Sequence, residues 1–187
     1  MPDPLIIRVI SVCFALLFLI AAVHKLAGAA RFRAVLADYQ LLPDALVPPM
    51  TRVVPVIELL LGLGWLIAYR TPVIAVISTM LLAVYAAAIG INLVRGRVHI
   101  GCGCGFGGAA DEDQQLSWGL VLRNGALIVA AAVAALPPAQ RQLGVVDYVS
   151  LIAAVLASVL LYAAANQLLS NRAAINSWRN AKRARHE

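Results

Sequence analysis

Two thiols one residue apart are the part of this sequence best suited to chemistry. They lie in His99-Ile100-Gly101-Cys102-Gly103-Cys104-Gly105-Phe106-Gly107-Gly108. A disulfide between Cys102 and Cys104 closes a very small ring. Disulfide geometry asks for Cα atoms about 4.4–6.8 Å apart and a Cβ–S–S–Cβ dihedral of about 90°. Gly103 between them lets the backbone bend toward that geometry. Such a bond is strained, and a strained disulfide exchanges readily. It is also a poor staple, because so short a loop removes little entropy from the unfolded chain. The spacing therefore suits thiol–disulfide exchange, with Arg95, Arg97 and His99 close enough in sequence to favour a thiolate. Two other readings stand beside it. His99, Cys102 and Cys104 could supply three soft metal ligands, but no fourth is visible, so no metal site is assigned. The thiols could also be inert in a glycine turn. The third cysteine, Cys13, lies in an apolar run and reads as a small packing residue.

A second group of chemically capable residues sits inside apolar segments. Glu58 interrupts the second of these segments. Lys25, Asn92, Arg123 and Asn124 lie near the ends of others. A carboxylate in hydrocarbon is expensive, so it should face the interior of a helix bundle and find a partner there, with Arg123 or Lys25 the expected one. A salt bridge that sets helix packing is the plain reading, and proton handling coupled to the thiols is the sharper one. Gly62 and Gly64, with Pro55, should permit close helix contact or a kink. Trp65, Tyr69 and Trp118 are expected as anchors at the membrane surface.

The elements that must position these residues follow from composition. Of 187 residues, 62% are hydrophobic and 13% charged, with a mean hydropathy of +0.86. Soluble domains carry about 25% charged residues. The excess of apolar side chains excludes an ordinary soluble enzyme, a disordered chain and a disulfide-rich secreted module. The net charge is +6. The basic residues sit at the ends of apolar runs, where they report membrane orientation, and no motif supports nucleic-acid binding.

Five apolar runs predict transmembrane helices over about 5–25, 53–69, 72–94, 119–136 and 148–168. The expected fold is therefore an all-α membrane protein, a four-helix transmembrane bundle plus a fifth transmembrane helix. Residues 1–168 form one multi-pass membrane domain and 169–187 a basic C-terminal tail. The first run is read as a retained helix, since His24-Lys25 would crowd a signal-peptide cleavage site. Phe32, Val35, Leu36 and Tyr39 fall at helical spacing with Arg31, Arg33 and Asp38 between them, which predicts a short amphipathic helix in the interface. Pro43 should end it, and Pro48-Pro49 should turn the chain toward the second segment.

Orientation follows the basic residues. With the N-terminus outside, the inner side carries Lys25, Arg31, Arg33, Arg52, Arg95, Arg97, Arg123, Arg172, Arg179, Lys182, Arg183 and Arg185. The outer side carries Arg8, Arg70 and Arg141. That is twelve of the 15 lysines and arginines against three. The count predicts a cytoplasmic C-terminus in a bacterial cytoplasmic (inner) membrane. It also places the cysteine loop on the cytoplasmic side, where thiols are kept reduced. A role in oxidising exported clients would be simpler with the loop outside.

Several of these residues together resemble a known family. Asn92-Leu93-Val94-Arg95-Gly96-Arg97, then Cys102-Gly103-Cys104-Gly105-Phe106-Gly107, then Trp118 and Arg123-Asn124, resemble the methylamine-utilisation membrane proteins of the MauE family, within the wider DoxX-like group. His24-Lys25-Leu26, Leu42-Pro43, and Pro55 with Glu58 and Gly62 fit the wider pattern. The resemblance covers about residues 5–136. One departure stands out: the family's usual loop reads Cys-Gly-Cys-Phe-Gly, and here Gly105 separates Cys104 from Phe106.

The resemblance implies a multi-pass protein associated with thiol redox. It implies maturation of an exported client, the disulfide-rich small subunit of methylamine dehydrogenase, alongside a thioredoxin-like redox protein. The expected function is thus thiol–disulfide redox or maturation of exported proteins, with Cys102 and Cys104 as the exchange pair of a thiol–disulfide oxidoreductase. The rival is a non-enzymatic assembly or transport factor whose glycine-rich loop docks a client or binds metal. No cofactor is assigned. A quinone acceptor would ordinarily require a second cysteine pair, which Cys13 alone does not provide.

Overall fold

The computed structural model describes residues 1–67, 71–98, 100 and 116–183. All its regular elements are helical. They run α1 (Pro4–Ala27), α2 (Ala29–Tyr39), a 3-10 turn (Asp44–Leu46), α3 (Val47–Ile67), α4 (Thr71–Val94), α5 (Trp118–Ala134) and α6 (Val145–Arg183). Among the described residues, four stretches are long and apolar enough to cross a membrane: Pro4–Ala27, Asp44–Ile67, Pro72–Val94 and Val145–Leu169. α5 is apolar but has 17 residues, at the lower edge of the ~17–25 that span the hydrocarbon core. The chain is a multi-pass all-α membrane protein.

Local chemistry explains where the helices begin and end. The Asp3 carboxylate accepts the Leu5 amide at 2.8 Å, and Pro4 follows as the first helical residue. That is a side-chain N-cap with a proline placed where its missing N–H costs nothing. Gly28 closes α1 by donating its amide to the His24 carbonyl at 2.9 Å, and α2 starts at the next residue. α2 ends at Tyr39 because Gln40 adopts a left-handed conformation, φ +47°. The amphipathic segment is therefore a helix, with Phe32 and Tyr39 buried.

Two expectations need correcting. Pro48 and Pro49 do not turn the chain toward α3; they lie inside its first turn, where amides have no intrahelical acceptor and proline is tolerated. Trp65 is not a surface anchor. It is 1% exposed, its ring stacks on Phe14 with centroids 5.1 Å apart, and its Nε1 donates to Ser78 Oγ at 2.9 Å. The reason is helical phase: Glu58, Leu61, Gly62 and Trp65 share the buried face of α3. Trp118 is 63% exposed, and Tyr69 lies outside the described residues.

α1 packs along α3, α4 packs along α5, and α6 leans on α1. Gly62 is what lets α1 and α3 approach. A Cβ there would lie 2.7 Å from Leu19 Cγ and 3.0 Å from the Leu19 backbone nitrogen. Two apolar clusters result. One joins Phe14, Ala15 and Phe18 of α1 to Leu61 and Trp65 of α3, Ala75 and Leu82 of α4, and Ala131 and Ala134 of α5. The other joins Tyr39, Ile89, Leu116 and Leu120 near the end of α4 and the start of α5, with Ile100 packed against it. The side chains of α6 between Val145 and Leu169 face largely outward, and the helix continues past Leu168 to Arg183.

Candidate functional site

Six polar residues from five helices come together within the bundle. Lys25 comes from the last turn of α1, Glu58 from the middle of α3, Tyr85 from α4, Arg123 and Asn124 from the second turn of α5, and Tyr162 from α6. All of them line one cavity of about 30 Å3. Lys25 is 5% exposed, Glu58 1% and Asn124 2%.

The centre of the group is an ion pair. Lys25 Nζ donates to Glu58 Oε1 at 2.5 Å. The Tyr85 hydroxyl donates to the same oxygen at 2.8 Å. Lys25 also sits over the rings of Phe32 and Tyr85, 5.5 Å from each centroid. Of the two partners the sequence allowed for Glu58, Lys25 makes the contact. A buried charge needs such compensation, since desolvating a lone carboxylate costs several kcal/mol. Glu58 Oε2 has no hydrogen-bond partner among the described residues.

Arg123 is held from the other side. Its Nη1 donates to Asn166 Oδ1 at 2.8 Å, and its guanidinium lies 5.7 Å from the Tyr162 ring centroid. Both partners belong to α6, so this arginine ties α5 to the outermost helix. Asn124 turns its Nδ2 back to the Leu120 carbonyl at 2.9 Å. Tyr85, Tyr162 and Asn166 escaped the sequence reading. Their signal was weak: a tyrosine or asparagine in an apolar helix is common, and only the three-dimensional phase brings it to the carboxylate.

Two other expected residues lie apart from this centre. Asn92 is fully buried, bonds through Nδ2 to the Ala88 carbonyl at 3.0 Å, and receives the Arg97 amide on its own carbonyl at 2.9 Å. Arg95 is exposed beyond the end of α4. His99, Cys102 and Cys104 lie outside the described residues.

The described residues on the two sides of the cysteines are joined: the Leu116 amide donates to the Val98 carbonyl at 3.0 Å. Arg97 reaches back to α2, donating to Gln40 Oε1 at 2.5 Å and to the Asp38 carbonyl at 3.5 Å. Ile100, two residues before Cys102, packs with Tyr39, Ile89 and Leu116. Val98 and Leu116, on the two sides of the cysteine-bearing segment, thus meet close to the end of α2. Cys13 is half-buried and free, and lines an apolar groove with Ser158 and Tyr162. Among the described residues no three His, Cys, Asp or Glu side chains are grouped to hold a metal ion.

Comparison with known proteins adds ancestry to this geometry. The family model described as methylamine utilisation protein MauE matches residues 3–137. The chain is 36% identical to the methylamine utilization protein MauE of Paracoccus versutus over 89% of its own length and 88% of that protein's. It is 33% identical to the protein of the same name from Paracoccus denitrificans, over 96% of each chain. The corresponding protein of Methylorubrum extorquens is 33% identical over 87% of each chain. No solved structure matches the chain. The match runs from the Asp3 cap of α1 to the end of α5, and so takes in both the buried ion pair and the cysteine loop: the chain belongs to the MauE family.

Proposed function

We propose that this protein acts in methylamine utilisation as a membrane-embedded thiol–disulfide exchange factor for exported proteins. The observation that carries the reading lies on either side of the Cys-Gly-Cys sequence: Val98 and Leu116 are joined by a hydrogen bond, and Arg97 ties this point to α2. A rigid scaffold carrying a reactive loop is the usual division of labour between fold and function. The names of its relatives supply the metabolic setting.

In this reading Cys102 and Cys104 trade a disulfide with a thioredoxin-like protein or directly with the exported client. One thiolate attacks the partner's disulfide, a mixed disulfide forms, and the second thiol displaces the partner as a dithiol. The buried Lys25–Glu58–Tyr85 group holds α1, α3 and α4 in register. Asn92, through its carbonyl bond to the Arg97 amide, positions the residue that ties the loop to α2. Arg95 and His99, close in sequence to the thiols, favour a thiolate there, and Arg123 with Asn124 fixes the start of α5. The protein sits in the bacterial inner membrane with its C-terminus in the cytoplasm, as the basic residues after Leu168 direct.

The test is complementation. A strain that lacks its own copy is supplied with the native protein, Cys102→Ser, Cys104→Ser or the double variant, and growth on methylamine is measured alongside the amount of each protein in the membrane. The exchange reading expects the native protein to restore growth and all three variants to fail at normal abundance. Full growth with the double variant would favour an assembly or transport factor that uses the loop without its thiols.

A further inference from the structure

An apolar pocket of about 240 Å3 lies between α2, α3 and α4. Phe32 and Leu36 of α2, Met50 and Val54 of α3, and Val84 and Ala88 of α4 line it. Lys25 borders it too, but its ammonium is engaged with Glu58 and sits over the Phe32 and Tyr85 rings, so no open charge enters the pocket. Along α4 the lining runs from Val84 to Ile89, a length of about 8 Å at 1.5 Å per helical residue. Val84 is 62% exposed, so the pocket opens on the outer surface of the bundle.

The place of α2 in the fold decides what reaches this pocket. The helix starts directly after Gly28, which closes the first span, and ends before the next span, Asp44–Ile67. It therefore lies at the membrane surface, where one helix leaves the bilayer and the next enters it. The pocket beneath it meets hydrocarbon, and apolar walls left without partner atoms forfeit dispersion contacts that an alkyl chain supplies.

Charge selects which lipid brings that chain. The stripe of α2 that faces the pocket is flanked on its two sides by Arg31 and Arg33, both exposed. The single acid of α2, Asp38, stands in the last turn, away from them. Arginines so placed lay their stems along apolar surface and hold their charges at headgroup level, where they attract anionic lipid.

We propose that the α2 pocket binds an anionic phospholipid, one acyl chain filling the space between α2, α3 and α4 and the headgroup meeting Arg31 and Arg33. A zwitterionic lipid has the chain without the net charge, and free phosphate has the charge without the chain. The site stands independently of the cysteine chemistry.

Native mass spectrometry of the full chain released from mixed micelles tests this. The probes are phosphatidylglycerol and phosphatidylcholine with the same acyl chains, supplied in equal amounts. The native protein should retain one phosphatidylglycerol severalfold more often than one phosphatidylcholine, and excess inorganic phosphate should not displace it. Arg31→Gln/Arg33→Gln should bring the two lipids to equal retention, whereas Arg183→Gln, in the basic tail, should leave the preference intact. Ala88→Phe, which fills the pocket from α4, should lower retention of both lipids severalfold with the two arginines still present. Equal retention of the two lipids by the native protein would overturn the proposal, as would a preference unchanged in Arg31→Gln/Arg33→Gln. Displacement by phosphate, or undiminished retention by a folded Ala88→Phe protein, would show a headgroup site that does not use the pocket and would also overturn it. The comparison of the two lipids on the native protein stands even if Ala88→Phe does not fold.

Discussion

Lys25 and Glu58, 33 positions apart in sequence, meet as an ion pair at 2.5 Å between α1 and α3. Both are almost fully buried. Neither charge could be carried into the bundle alone, so each residue makes the other admissible, and together they specify how the two helices face each other. This coupling has a measurable signature. Replacing Glu58 by Leu leaves Lys25 buried and uncompensated and should destabilise the protein by about 3–5 kcal/mol. Lys25→Met should do the same. The double variant Lys25→Met/Glu58→Leu should recover much of the loss, because a buried ion pair replaced by apolar groups of similar size is often neutral. Thermal unfolding of the four proteins in one detergent checks the cycle, and additive single effects would count against it.

The contact between Gly62 and Leu19 sets how closely α1 and α3 can pack. Gly62→Val should cost about 1–3 kcal/mol through overpacking, since even a Cβ comes within 3.0 Å of the Leu19 backbone. Gly90, in α4, has nothing within 4 Å of a built Cβ. Gly90→Ala should therefore leave stability unchanged or raise it by about 0.5–1 kcal/mol through helix propensity. Denaturation of both variants separates the two glycines.

Ser78 is the acceptor for the buried indole of Trp65. Ser78→Ala removes it and leaves a donor without a partner, at a cost of about 1–3 kcal/mol. Trp65 fluorescence should shift in the folded protein, because the indole's polar contact is gone. An unchanged spectrum and unchanged unfolding midpoint would show that Trp65 finds another acceptor.

Reporter fusions test the orientation. A reporter fused after Glu187 should report the cytoplasm, since Arg172, Arg179, Lys182, Arg183 and Arg185 follow the last apolar span closely. A second reporter inserted between Gly107 and Ala110 reads the side on which Cys102 and Cys104 stand. With all five helices spanning, both reporters share one side. Opposite sides would mean that one of α5 or α6 does not cross, and α5, with 17 residues, is the shorter.

The helical class and the positions of the spans were legible because long apolar runs admit no other structure in a membrane. Glu58 was legible for the same reason: a charge in such a run must be partnered. The choice of Lys25 over Arg123 was not. It depends on the rotation of α1 against α3, which Gly62 and Leu19 fix by contact and which no local pattern encodes. Trp65 was misplaced because its position near a helix end suggested an interface, whereas its phase relative to Glu58 put it in the core. Tyr85 became part of the site by the same rule of phase, having no charge to mark it. The prolines at 48 and 49 were read as a turn although the first turn of a helix accepts them equally well.

The measurement that bears most directly on the account is the redox state of Cys102 and Cys104. In a Cys13→Ser background these are the two thiols that remain of the chain's three. Membranes are treated with a mild oxidant or with a reductant, quenched in acid, and labelled with a thiol-reactive mass tag. The account predicts no tag after oxidation, two tags after reduction, and conversion of one state into the other on adding a reduced or oxidised thioredoxin-like protein. Two tags under both conditions would contradict it.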